Sequence, residues 1–181
     1  MANEAHLEEG PSGVEPADDG WFVVNVREAA WRTHDAFGSS CRFESREAWF
    51  RELGINLRVL APGQPNCLYH SESLQEDFLV LDGECVLLVD GEERRLSAWD
   101  FFHCPPGTEH VFVGAGSGPS VILMTGRRSE DEELLYPVSE LAGQHGASVD
   151  TTTQSGDEAY ASFPRSRPER PESWGELPWA T

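Results

Sequence analysis

Between residues 55 and 125 the chain is cut into short apolar runs that alternate with turn signals at nearly even spacing. Ile55-Asn56-Leu57-Arg58-Val59 alternates apolar and polar side chains, and Phe78–Leu81 and Val86–Val89 are compact β-type runs. Asp82-Gly83 and Asp90-Gly91 punctuate them, and Asp-Gly favours tight hairpins because glycine accepts positive φ. Phe101-Phe102-His103, Val111-Phe112-Val113 and Val121–Thr125 continue the series. No long helical period interrupts it, which argues against a parallel α/β sheet. The pattern predicts an all-β sandwich or closed barrel over residues 54–128.

The flanks read differently. Residues 1–20 are polar and acidic and carry too little apolar area to offset their ordering entropy, so they are expected to form a mobile arm. Residues 21–53 are expected to pack as an extension on the barrel or on a partner subunit, because Trp21, Trp31, Trp49 and Phe50 need cover. Within them Trp21–Val26 predicts a strand and Arg27–Trp31 a helical turn. Ser45 predicts the N-cap of a short helix that buries Trp49, Phe50 and Leu53 and stops at Gly54. Residues 129–181 form a strap or tail. Ser129–Glu133 is a charge run expected in a solvated turn, Val138–Gln144 predicts a short helix, and residues 150–173 are polar and proline-punctuated. Trp174 and Trp179 predict that the tail docks, with a dimer partner as one surface for it and an undocked tail as the alternative.

Charge removes some classes of partner. Thirteen basic and 32 acidic residues give a formal net charge of −19. Such a surface repels phosphate backbones and anionic lipid, so neither nucleic acid nor membrane is an expected partner. No apolar run approaches the roughly 18 to 20 residues that span a bilayer. The acidic start lacks the features of a secretory leader, and a cytoplasmic location is expected. The four cysteines, Cys41, Cys67, Cys85 and Cys104, have no CxxC spacing and read as free, mostly buried thiols. The rival reading is a soft metal site of Cys67 and His70, which would also need Cys104.

The chemistry sits at the two ends of residues 70–110. On a strand, side chains two apart share a face. His70 and Glu72 therefore look into one space, and Glu76, Phe78 and Val80 share a parity on the next strand. Pro105-Pro106-Gly107 is a rigid turn that delivers His110, followed on its face by Phe112. If the two ends meet, two imidazoles and two carboxylates share a pocket walled by Phe78, Val80 and Phe112. That donor set, His70, Glu72, Glu76 and His110, suits a divalent transition metal such as Zn, Fe, Mn or Ni. His103 reads as solvent-facing or hydrogen-bonded, and Tyr69 as packing on the opposite face. Gly114–Gly118 does not lie between a strand and a helix, so a phosphate cradle is not expected there.

The arrangement resembles the cupin family. Its first motif is a glycine, five residues, His-x-His, three or four residues, Glu, six residues and Gly. Here His70-x-Glu72, Glu76 and Gly83 keep that spacing. Its second motif is a glycine, five residues, Pro-x-Gly, two residues, His, three residues and Asn, which Pro105-Pro106-Gly107-Thr108-Glu109-His110 fits. The resemblance covers roughly residues 54 to 126. Four positions depart from it: the first glycine comes one place early at Gly63, Glu72 replaces a histidine, Trp99 replaces a glycine, and Gly114 replaces the asparagine.

The resemblance implies a double-stranded β-helix, or jelly-roll barrel, that pairs as a homodimer through edge strands. It also implies dioxygenase, isomerase, epimerase or decarboxylase chemistry on a small-molecule metabolite. Glu72 alters the expected metal. Three histidines and one glutamate leave a divalent ion with about one net positive charge, and a second glutamate removes it, which favours Mn, Fe or Zn over Cu. Without metal, two close carboxylates repel, and one takes up a proton readily enough for acid–base work. The alternatives are a non-catalytic binding or sensor module, with or without metal, and a vestigial site.

Overall fold

The computed structural model describes residues 3–180. The chain begins with strands β1 (Leu7–Gly10), β2 (Gly13–Pro16), β3 (Trp31–His34), β4 (Gly38–Arg42) and β5 (Leu53–Leu60). Its centre holds β6 (Ser71–Glu72), β7 (Glu76–Asp82), β8 (Glu84–Val89), β9 (Glu92–Ser97), β10 (Phe101–Cys104), β11 (His110–Ala115) and β12 (Ser120–Arg127). Its end holds β13 (Leu134–Leu135), the one-turn helices α1 (Glu140–Gly143) and α2 (Gly156–Ala159), and β14 (Arg167–Pro168).

Two antiparallel sheets carry the fold. The larger runs β10-β7-β12-β5-β4-β3-β14 and the smaller β11-β8-β9. Isolated bridges at Pro65–Val113 and His70–His110 stitch the segment before β6 to β11. The ladders of the described residues make two main sheets and two short pairs, β1-β2 and β6-β13, rather than one closed ring.

Strand parity decides what goes inside. Leu60, Phe78, Val80, Ile122 and Met124 of the large sheet meet Cys85, Leu87 and Phe112 of the small one in a single buried cluster. The alternate residues point outwards, and the C-terminal third of the chain covers them. Trp31, Leu57, Val59 and Val121 lie under Trp174, Leu177 and Trp179. Trp31 is fully buried, with the Trp179 ring 5.5 Å away and stacked and the Trp174 ring 5.6 Å away edge-on. On the small sheet, Val86, Leu88, Val111 and Val113 pack with Tyr69 against Ala142 and Ala147. The tail therefore docks on its own chain.

Three expectations of local structure are corrected. Residues 7–16 form a hairpin, fixed by Val14 N–H donating to Glu28 and Ala30 N–H donating to Val14, where composition suggested an arm without regular structure. Residues 22–26 make no ladder; Trp21 makes only a bridge to Glu4. The helix expected from Ser45 does not form. Its hydroxyl does accept from the N–H groups of Glu47 and Ala48, but Phe50 then donates its N–H to the Glu44 carboxylate and its carbonyl accepts from Arg128. Backbone groups that a helix would need are committed to side chains instead. The short helix expected near 138–144 is present as α1, capped by the Ser139 hydroxyl.

Candidate metal centre

His70 and His110 are held together by the main chain. Each donates its N–H to the other's carbonyl, at 3.2 and 2.8 Å, as an antiparallel bridged pair. Their rings lie 4.9 Å apart. The Pro105-Pro106-Gly107 turn is tied to the same place, because Gly107 N–H donates to the Glu72 carbonyl at 2.7 Å. Gly83 closes the hairpin between β7 and β8 with φ at +72°, and a Cβ there would lie 2.3 Å from the Pro119 oxygen. At Gly114, where the family carries asparagine, a Cβ would lie 2.2 Å from the Ala61 oxygen, so no side chain fits. Trp99 stands where the family has glycine and keeps a glycine-like backbone, with φ at 77°.

Both rings are oriented alike. His70 Nδ1 lies 2.9 Å from the Leu68 carbonyl and His110 Nδ1 lies 3.2 Å from the Thr108 carbonyl, contacts that place a proton on each Nδ1. The Nε2 atoms face acids: His70 Nε2 is 3.4 Å from Glu72 Oε1, and His110 Nε2 is 3.3 Å from Glu76 Oε2. Anchoring Nδ1 and freeing Nε2 is how a protein presents imidazole to a metal. His70, Glu76 and His110 each place a donor atom within 4.8 Å of the others. Glu76 Oε2 is buried and has no hydrogen-bond partner. A buried acceptor left unpaired is costly unless something fills its need, so these three residues fit a divalent ion.

Glu72 stands beside this trio and outside it. It contacts His70, but β6 pairs with β13, with Leu134 opposite Glu72. That pairing brings Glu132 close to the Glu72 carboxylate, and each acid shifts the other's pKa. Glu132 belongs to the charge run that the sequence placed in a solvated turn. Nothing in the run itself signals the contact; the Leu134-Leu135 strand that delivers it is too short to show a period.

The electrostatics follow from burial and crowding. Burial, with Glu72 close by, pushes the Glu76 carboxyl up to about 8. Burial and the neighbouring His70 push the His110 ring down to about 4. Burial alone would lower His70 too, but Cys67, Glu72 and Glu76 hold it well above the usual imidazole range. Glu132 is pushed up to about 7 by burial and by Glu72, while Glu72 is lowered by His70 and Glu132 against the effect of its own burial. Without metal, Glu76 is thus driven toward its protonated form and His110 toward its neutral one, beside His70, which its acidic neighbours hold toward its charged form.

The remaining residues singled out in the sequence take structural places. Phe78 and Phe112 lie under His110, with ring centroids 5.2 and 6.4 Å from it, and Phe102 joins them at 6.0 Å. Phe78, Val80 and Phe112 are at most 3% exposed and pack in the core, so they form a filled floor rather than the walls of an open pocket. Tyr136 stacks on His70 at 5.7 Å. Tyr69 points to the outer face, its hydroxyl accepting from Gly91 N–H. His103 is half exposed, and its Nδ1 lies 2.6 Å from the Asp77 carboxylate. All four cysteines are free. Cys41, Cys85 and Cys104 are buried, with thiols that burial pushes up to about 12. Cys104 and Cys67 approach the Nδ1 atoms of His110 and His70 at 3.5 and 3.6 Å, on the side turned away from the acids.

Comparison with known proteins agrees with this geometry. A family model described as a cupin domain matches residues 56–126. A sugar phosphate isomerase from a cupin superfamily of Silicibacter pomeroyi DSS-3 is 25% identical, with TM-score 0.55 over 62% of this chain and 79% of its own. The polyketide cyclase RemF of Streptomyces resistomycificus is 11% identical, with TM-score 0.53 over 88% of this chain and 96% of its own, a likeness of fold alone. A candidate sugar phosphate isomerase from Acidithiobacillus ferrooxidans ATCC 23270 is 27% identical over 48% of this chain, with TM-score 0.46. This chain spans only 57% of that protein's length. A search of curated proteins finds no match. Among the described residues no helix is long and apolar enough to cross a membrane.

Proposed function

We propose that this chain, a member of the cupin superfamily through residues 56–126, is a metal-dependent enzyme acting on a small polar metabolite. His70, Glu76 and His110 hold the ion, and Glu72 stands beside it. The observation that carries this reading is Glu76 Oε2, buried without a partner and 3.3 Å from the free nitrogen of His110. Three protein donors leave a coordination position for water or substrate.

When bound, a Zn, Fe, Mn or Ni ion supplies Lewis-acid polarisation of a substrate oxygen. The chain's own groups do the rest. The carbonyls of Leu68 and Thr108 fix the two rings. Phe78, Phe102 and Phe112 keep water from the floor. Glu132, beside Glu72 through the β6–β13 pairing, is pushed up to about 7 by burial and by Glu72, so it can hold or give up a proton, the kind of group a proton-transferring isomerase needs. Similarity to the Silicibacter pomeroyi isomerase supports that class over dioxygenase chemistry.

Metal analysis of the purified chain tests the proposal. We expect one transition ion per chain, lost in His110→Ala. A chain that carries no metal, takes none up, and has the same melting temperature with and without Zn, Mn, Fe or Ni would overturn it. A second reading, a binding module without turnover, is favoured by the filled floor under the histidines, and metabolite binding without conversion would select it.

A further inference from the structure

The inner face of the large sheet does not stay apolar to its edge. Read across the ladders, one row of facing residues runs Val80, Ile122, Arg58, Ser40, Arg32, and the next runs Phe78, Met124, Asn56, Arg42. Each row begins in the core and ends in cations. Beyond the core these residues border a cavity of about 620 Å³, closed on its far side by residues 156–166. That volume is in the range of small-metabolite sites.

Four of the chain's thirteen basic residues line this one cavity: Arg32, Arg42, Arg58 and Arg165. In a chain of net charge −19, such a concentration is far from what the surface at large offers. Among the described residues, the arginines found in ion pairs are Arg94, Arg128 and Arg167, none of them on this wall. Among the described residues the only acid lining the cavity is Asp157, which is exposed. Arg32 is hydrogen-bonded to Ser166, and Arg58 gives Nη1 to the Phe37 carbonyl at 3.2 Å. Arg58 Nε is buried with no partner. A guanidinium taken from water without a carboxylate is an unmet demand for an anion. The opposite wall is aromatic. Phe37 contacts Phe163 at 4.7 Å and Tyr160 at 5.5 Å between ring centroids.

We propose that this cavity binds a small organic anion, its phosphate or carboxylate on Arg58 and Arg42 and its apolar body against Phe37, Tyr160 and Phe163. The site is independent of the metal reading. Cys67 lines it and lies 3.6 Å from Nδ1 of His70, the ring nitrogen turned away from Glu72. The two sites share a wall and neither needs the other's ligand.

Calorimetric titration of the full chain with phenyl phosphate, benzoate and neutral benzyl alcohol tests this. We expect one anion per chain. Affinity should fall by about tenfold or more in Arg58→Met and measurably in Arg42→Gln, and stay unchanged in His110→Ala. Preference for phenyl phosphate or for benzoate identifies the anionic group. Arg42 is exposed, so Arg42→Gln keeps the test valid if Arg58→Met fails to fold. The proposal is overturned if neither anion binds, if benzyl alcohol binds equally well, if Arg42→Gln binds like the unaltered chain, or if His110→Ala abolishes binding.

Discussion

Glu44 and Glu76 are both carboxylates taken out of water by this fold, and their surroundings drive them in opposite directions. The Glu44 side chain is 6% exposed, and Arg128 meets both its oxygens at 2.6 and 2.7 Å while Phe50 N–H donates to it at 3.1 Å. Burial alone would raise its pKa; Arg128 and the Phe50 amide hold it below the usual carboxylate range. The Glu76 side chain is 14% exposed and meets a neutral ring and another acid, so it is pushed up to about 8. A buried acid with its counterion fastens the chain, here tying residues 44–50 to the end of β12. A buried acid without one is a seat for a cation that arrives later.

The largest expected effect comes from breaking the fastener. Arg128→Met should cost about 3–5 kcal/mol in urea unfolding, because Glu44 is then left buried and unpaired. A loss under about 1 kcal/mol would show that Glu44 escapes to water and that the contrast is overdrawn. Removing the seat should act the other way. Glu76→Gln should leave the metal-free chain as stable as before or slightly more so, and should lower metal affinity by more than the about 10–100-fold that outer partners cost. Loss of metal-free stability would mean that Glu76 already has a structural partner.

These outcomes bear on what could be read from the chain alone. Strand parity placed His70 with Glu72 and Glu76 with Phe78, and the proline turn placed His110, because a period of two survives wherever a ladder forms. Parity could not show that Glu72 would be drawn toward Glu132, since that depends on a two-residue strand that begins 62 residues on, at Leu134. Glu44 and Arg128 lie 84 positions apart with no local pattern joining them. The Ser45 cap was legible, but the helix was not decided there; Glu44 and Arg128 took its backbone groups. Arg58 was visible in a clean alternation, but alternation alone does not say whether its polar face meets water. In the structure that face turns inward, and it carries the cations of the cavity.

pH sharpens the comparison. Glu44 has a lowered folded pKa, so its contribution is present above the unfolded value of about 4.3 and is lost as pH falls through the folded one. Glu76 has a raised folded pKa, so the metal-free fold binds an extra proton between about 4.3 and about 8 and loses that stabilisation as pH rises through this window. Stability measured against pH for Glu44→Gln and Glu76→Gln, each relative to the unaltered chain, should therefore differ with opposite slopes. Metal affinity should rise with pH up to about 8, where Glu76 no longer has a proton to give up. The smallest effect expected is that of Trp49→Ala. It removes the ring 3.6 Å beneath the Arg128 guanidinium and should cost about 0.5–1 kcal/mol in the same unfolding assay.

The reciprocal amide–carbonyl bonds between residues 70 and 110 set the spacing of the two imidazoles through the backbone. An ion arriving there would find two donors already brought together, so those two amides should be protected from hydrogen exchange with and without it.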